Sequence, residues 1–297
     1  MRTILMPTLA AGLLLGAVPM ADAQPLTVRL DAEQTIQITE NRRNNGRIAP
    51  ITLGDFNGDG FEDLIMGAPR ASGFVTVNTG MVYGRFGGEY LDRSTQDRGS
   101  YYDLTSDPAF QANPLISSVE DPDVVGRTPS GLQLNGKDPA SFFGSAVASG
   151  DFNGDNFSDI AVSQTYPFES DRKGEVFLIY GRADLSGVVD LVDELSNGRA
   201  FGIEGRQDGA RYGEVLAFED LNNDGYDDLV IGTPRALTAG VVDIVYGRPG
   251  ALSSAPIMSF PGPKTRIFTT QSGELFGSSF AFGDFTGDSF PEMAIGA

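Results

Sequence analysis

Short apolar runs bounded by Gly and Asp dominate this chain, and long amphipathic stretches are scarce. Leu64-Ile-Met66, Ile160-Ala-Val162 and Leu229-Val-Ile231 are continuous apolar triplets. Runs so short are too brief for a helix and suit strands buried on both faces. Met81 to Arg85, Val176 to Arg182 and Val241 to Arg248 are strand-like runs that end in Tyr-Gly-Arg. Leu132 to Gly136, Phe201 to Gly205 and Arg266 to Thr270 add a further short alternating run. The pattern predicts about four short strands per repeated unit. Helical periodicity is best over Val189 to Leu195, a short segment.

An acidic loop recurs with the strands. It reads Asp55-Phe-Asn-Gly-Asp-Gly-Phe-Glu-Asp63, then Asp151-Phe-Asn-Gly-Asp-Asn-Phe-Ser-Asp159. It returns as Asp220-Leu-Asn-Asn-Asp-Gly-Tyr-Asp-Asp228 and Asp284-Phe-Thr-Gly-Asp-Ser-Phe-Pro-Glu292. Phe143-Gly144, Tyr212-Gly213 and Phe276-Gly277 precede their loops by the same stretch. Loop spacings are 96 residues from Asp55 to Asp151, 69 to Asp220 and 64 to Asp284. The last two fit one four-stranded blade per unit. The first is too long, and the excess is Gly/Ser/Asp/Pro-rich, so residues 86–131 are expected to form a surface insertion.

Within each loop, oxygen atoms fall at alternate positions, and hard cations want an oxygen shell. The expected metal ligands of the first loop are Asp55, Asn57, Asp59, the Phe61 carbonyl and Asp63. Those of the second are Asp151, Asn153, Asp155, the Phe157 carbonyl and Asp159. The third supplies Asp220, Asn222, Asp224, the Tyr226 carbonyl and Asp228. The fourth supplies Asp284, Thr286, Asp288, the Phe290 carbonyl and Glu292, and its Thr and longer Glu rank it weakest. Gly60 and Gly225 permit the sharp turn, and Asn156 tolerates it. Position 12 of the first loop is Met66, inside an apolar run, so the loop is not an EF-hand. The expected ion is Ca2+, at up to four sites, as a structural staple. Free calcium at roughly ten times Kd would add about 1.4 kcal/mol per site.

Charge and composition narrow the function. The 297 residues carry 40 acidic and 21 basic side chains, net −19, which disfavours nucleic acid as a partner. Cys and His are both absent, which excludes disulfides, Cys/His metal sites and Ser-His-Asp or Cys-His catalysis. Carboxylate-only chemistry stays open. Residues 1–23 read as a secretory signal: Arg2, a mostly apolar Ile4 to Val18, and Ala21-Asp22-Ala23 as the cleavage pattern. The mature domain would then run over 24–297, be secreted, extracellular or periplasmic, and have no membrane span.

Together these motifs resemble the FG-GAP repeats of integrin α-subunit propellers and their bacterial and phospholipase relatives. Phe143-Gly144 and Phe276-Gly277 are the name-giving pairs, with Gly67-Ala68-Pro69 and Gly232-Thr233-Pro234 as the second element. The second repeat has Ser163-Gln164-Thr165 there instead, and the first lacks the Phe-Gly pair. The resemblance implies an all-β fold, a β-propeller of four-stranded FG-GAP blades with calcium in the blade-edge loops and a face for protein ligands. It implies seven blades, against about three and a half here, so the chain is expected to be incomplete. A small ring closed by a strand near Thr35 to Thr39 is the alternative. The expected function is adhesion or recognition of a protein or cell-surface ligand, without catalysis. The alternative is an extracellular hydrolase or lyase, on carbohydrate or phosphodiester substrates, with carboxylates as acid and base.

Overall fold

The computed structural model describes residues 26–29, 35–39, 50–71, 79–87, 101–103, 131–167, 171–250, 264–269 and 273–297. The expected leader 1–23 and nearly all of the expected insertion lie outside these residues. The strands, in chain order, are β1 (Leu26–Arg29), β2 (Thr35–Thr39), β3 (Ile51–Gly54), β4 (Asp63–Ala68), β5 (Met81–Arg85) and β6 (Tyr101–Asp103). They continue as β7 (Gly131–Asn135), β8 (Phe143–Gly150), β9 (Asp159–Gln164), β10 (Glu175–Ile179), β11 (Gly187–Asp190) and β12 (Ala200–Glu204). The last are β13 (Val215–Glu219), β14 (Asp228–Thr233), β15 (Val241–Val245), β16 (Lys264–Phe268), β17 (Ser279–Gly283) and β18 (Glu292–Gly296).

Three antiparallel meanders form blades. Blade 1 is β3-β4-β5-β7, blade 2 is β8-β9-β10-β12 and blade 3 is β13-β14-β15-β16. The hairpin β17-β18 starts a fourth. The three apolar triplets lie in the second strand of each blade, and all six residues of β4, β9 and β14 are buried. Side chains alternate between the two faces of a strand. Ile160 and Val162 therefore pack toward blade 1, with Ile65 and Val82, while Ala161 packs toward blade 3. Leu229 and Ile231 meet blade 2, and Val230 faces Phe280 and Ile295 of the fourth unit. This is why these strands carry no polar alternation.

The aromatic-glycine and glycine-alanine-proline elements meet between blades. A Cβ on Gly67 would lie 2.2 Å from the Gly144 carbonyl oxygen, and one on Gly232 would lie 2.3 Å from that of Gly277. The glycines let neighbouring backbones touch. Blade 2 has Ser163 at this position, and its Oγ accepts the Ala146 N–H at 2.9 Å. The departure from the motif is thus absorbed by a hydrogen bond.

Three expectations are corrected. First, Tyr83-Gly84-Arg85 is not the equivalent of the other two Tyr-Gly-Arg segments. The register places Phe86-Gly87 where Tyr180-Gly181 and Tyr246-Gly247 stand, because those glycine amides bind the loop aspartates described below. Second, Val189 to Leu195 is not one helix. Gly187–Asp190 is a strand, and Asp190 caps α1 (Leu191–Ser196) by accepting the Val192 N–H at 2.7 Å. β11 pairs in parallel with β7, so a connection of blade 2 adds a fifth strand to blade 1 and covers its edge. Third, among the described residues β2 pairs with β1 and β6 and not with the fourth unit, so the strand near Thr35 to Thr39 does not close a small ring there.

Candidate metal loops

Each acidic loop joins the first two strands of its unit, so all four lie at one end of the strands. The first residue organises the turn. Asp55 Oδ1 accepts the amides of Gly58 (2.7 Å) and Asp59 (3.1 Å), and Oδ2 accepts Gly60 (2.8 Å). Asp151 repeats this with Gly154, Asp155 and Asn156, and Asp284 with Gly287, Asp288 and Ser289. Asp220 accepts Asp224 and Gly225. The residues at the sharp turn have φ of 85° (Gly60), 67° (Asn156), 87° (Gly225) and 70° (Ser289). Asn57, Asn153 and Asn222 each accept the amide two residues on.

The ninth position behaves differently. Asp63 accepts Phe56 N–H at 3.0 Å and Gly87 N–H at 2.7 Å, one on each oxygen. Asp159 does the same with Phe152 (3.0 Å) and Gly181 (2.9 Å), and Asp228 with Leu221 (3.2 Å) and Gly247 (2.9 Å). These buried carboxylates tie the loop to the end of the third strand. Burial pushes Asp63 up to about 7, with Asp59 and Asp55 adding to it against the two backbone bonds. Burial likewise pushes Asp159 up to about 8 and Asp228 up to about 6. Neighbouring carboxylates contribute in each case.

In the fourth loop Glu292 reaches back instead. It accepts Phe285 N–H at 2.6 Å and the Thr286 hydroxyl at 2.7 Å. Asp284, Asp288 and Glu292 present carboxylate oxygens within 4.8 Å of one another, the one such acidic trio among the described residues. The loop ranked weakest from sequence is thus the one whose three acidic side chains converge, because its ninth side chain is longer. Backbone amides, Ser289 first, hold Asp284 below the usual carboxylate range.

The donor set fits a hard divalent cation. It is all oxygen, at alternate positions around one turn, and carries three carboxylates per loop whose mutual repulsion a cation would relieve. When bound, the ion would be held by positions 1, 3, 5, 7 and 9 and would supply charge neutralisation.

Successive loops are also linked. Ser158 N–H donates to the Asp55 carbonyl (2.8 Å) and Arg182 N–H to that of Phe56 (2.9 Å). Asp227 and Arg248 repeat this on Asp151 (3.0 Å) and Phe152 (2.9 Å). The Phe157 ring covers Gly58 and the Tyr226 ring covers Gly154, leaving no room for a Cβ. Position 8 of the fourth loop is Pro291, which has no N–H to donate to Asp220. Sequence reading missed this role of positions 4, 7 and 8, although their composition carried the signal. It also missed the carboxylates Asp138 and Glu175, outside the loops. Both accept from Gln164 Nε2 and both pair with Lys137, so they are engaged in a network with Tyr166.

Stacked four-stranded blades with aligned acidic loops define a β-propeller arrangement. Residues 51–84, 143–179 and 212–254 match the FG-GAP repeat, one match per blade. The chain is 26% identical to integrin alpha-5 of Xenopus laevis over 257 residues, 83% of this chain and 19% of that protein. It is 32% identical to integrin alpha-V of Gallus gallus over 207 residues, 61% of this chain and 19% of that one. It is 32% identical to phosphatidylinositol-glycan-specific phospholipase D of Bos taurus over 168 residues, 54% of this chain and 19% of that one. The chain therefore spans about a fifth of the length of these three relatives. It is an FG-GAP repeat protein, similar to the integrin α propeller. Among the described residues no helix is long and apolar enough to cross a membrane.

Proposed function

We propose that this chain is an exported recognition module whose blades are stapled by calcium and whose partner is a protein or cell-surface ligand. The observation that carries the reading is the alignment of acidic oxygen-donor loops at one end of FG-GAP blades. Calcium in loops one to four would screen the clustered carboxylates and rigidify the blade ends. The ninth-position Asp would then couple the ion to the third strand through its backbone bonds. The similarity to integrin α subunits supports recognition over catalysis. It also supports export, in line with the reading of residues 1–23 as a cleaved leader and 24–297 as the domain.

Two measurements test this. Titration calorimetry should show calcium binding that Asp59→Ala reduces, and chelator should lower the melting temperature. Immobilised chain should support adhesion of cells or matrix proteins in calcium, and lose it in chelator. An unchanged melting curve sinks the staple; adhesion indifferent to the chain sinks the recognition role.

A further inference from the structure

A cavity of about 640 Å3 lies where the β14–β15 connection leaves blade 3, at the end of β14 away from the acidic loop. The equivalent place in blade 2 is filled by long polar side chains. There Gln164 ends β9 opposite Glu175 at the start of β10. Gln164 Nε2 donates to Glu175 (2.8 Å) and Asp138 (3.2 Å), and Tyr166 donates to Asp138 (2.6 Å). In blade 3 the same register holds Thr233 opposite Val241. These side chains are too short to close the slot.

The hollow slot is equipped for a ligand. Thr233 lines it, is 2% exposed, and its Oγ1 has no hydrogen-bond partner. A χ1 rotation exchanges its methyl and hydroxyl, which can then serve a bound group. Arg206 and Asp208 also line the cavity. Both are exposed, and neither forms an ion pair among the described residues. Arg266 is already neutralised: Asp243 takes its Nε and Nη2, both at 2.6 Å. The remaining wall joins Gln207, whose Oε1 accepts the Leu237 N–H at 2.7 Å, and the Tyr212 ring to a small apolar part in which Ala210, Ala236 and Val241 pack as one cluster.

We propose that this cavity binds a small zwitterion, an amino acid or short peptide with free ends. Arg206 takes the carboxylate, Asp208 the ammonium, and the apolar wall a small side chain. Two opposite charges that do not pair with each other suit a ligand that carries both. The volume falls within the roughly 300–1,000 Å3 of small-ligand pockets. The site lies at the far end of the strands from the acidic loops, so it does not depend on the cation reading.

The test is calorimetry on the full chain in calcium, with alanyl-valine and its N-acetyl and C-amide derivatives. Alanyl-valine should bind saturably. Arg206→Gln and Asp208→Asn should each weaken it about tenfold or more, the scale of a charge-assisted hydrogen bond. The losses should cancel in cycles: amidation costs nothing further in R206Q, and acetylation nothing further in D208N. Both side chains are exposed, so unchanged melting should accompany these variants. Ala236→Leu, which fills the cavity without touching a charge, should abolish binding. No saturable binding by the unmodified chain overturns the proposal, as do charge losses that add in the cycles instead of cancelling.

Discussion

Gly67→Ala isolates what the second motif glycine does. Gly67 sits in β4, fully buried, and its N–H donates to the Pro50 carbonyl at 2.9 Å. The added methyl would lie 2.2 Å from the Gly144 carbonyl oxygen and 2.7 Å from Pro50 Cγ. The first contact is to backbone of the next blade, which cannot swing aside as a side chain can. The blades must separate by a fraction of an ångström, across a core that includes Ile65, Phe143 and Val162. Overpacking of this kind costs about 1–3 kcal/mol. At about 2–4 °C per kcal/mol for a domain of this size, the melting temperature should fall by about 2–12 °C. The assay is thermal unfolding by circular dichroism in saturating calcium. Gly187→Ala is the control, because Gly187 has φ of 74° but nothing within 4 Å of the added Cβ. That variant carries backbone strain alone, about 1–2 kcal/mol. If Gly67→Ala melts no lower than the unaltered chain, the back-to-back glycine contact is not what the motif is for.

Three further outcomes follow from the same geometry. Asp224→Ala should abolish the third loop's share of the calcium-dependent melting shift, read as a smaller difference between calcium and chelator. Arg266→Ala leaves Asp243, 1% exposed, without its cation, and should cost about 3 kcal/mol in urea unfolding; adding Asp243→Asn should restore part of it. Glu175 is raised above the usual carboxylate range by burial, against the lowering effect of Lys137. Its folded pKa exceeds its unfolded one, so ionisation weakens the fold as pH rises through that interval. Glu175→Gln should therefore be the more stable form at pH 7, with the gap closing on acidification; a gap that widens in acid would contradict the assignment.

The sequence exposed the repeat, the strand order within each blade and the loop positions, because those depend on local patterns. Apolar triplets opened by Asp and closed by Gly or Ser suit short buried strands, and β4, β9 and β14 are that. What stayed hidden depends on register between segments far apart in the chain. Tyr83-Gly84-Arg85 matches the other two copies letter for letter, yet pairing puts Phe86-Gly87 in their place. A three-residue slip is invisible until Asp63 is seen to need the Gly87 amide. The strand β11 was equally hidden, since its partner β7 is more than fifty residues away and in another blade.

The fourth loop shows how the two levels of reading diverge. Judged residue by residue, Thr286, Ser289 and Glu292 look like a decayed copy. Judged by geometry, its acidic groups alone converge, for two separate reasons. Glu292 is one methylene longer than Asp, and it accepts the Phe285 and Thr286 amides and the Thr286 hydroxyl within its own loop, whereas Asp63, Asp159 and Asp228 each also accept an amide from the end of the third strand. A cation entering any of the four loops must share the ninth carboxylate with backbone amides; in the first three one of these comes from the end of the third strand, and at the fourth Pro291 breaks the link to loop three. Calcium binding should therefore be coupled from the first loop to the second and from the second to the third, and not from the third to the fourth. Substituting Phe157 or Tyr226 by Ala, which uncovers Gly58 or Gly154, should weaken calcium binding at the neighbouring loops; Phe290→Ala, 47% exposed, should leave calcium binding at the third loop unchanged. Equal losses from all three would refute the coupling.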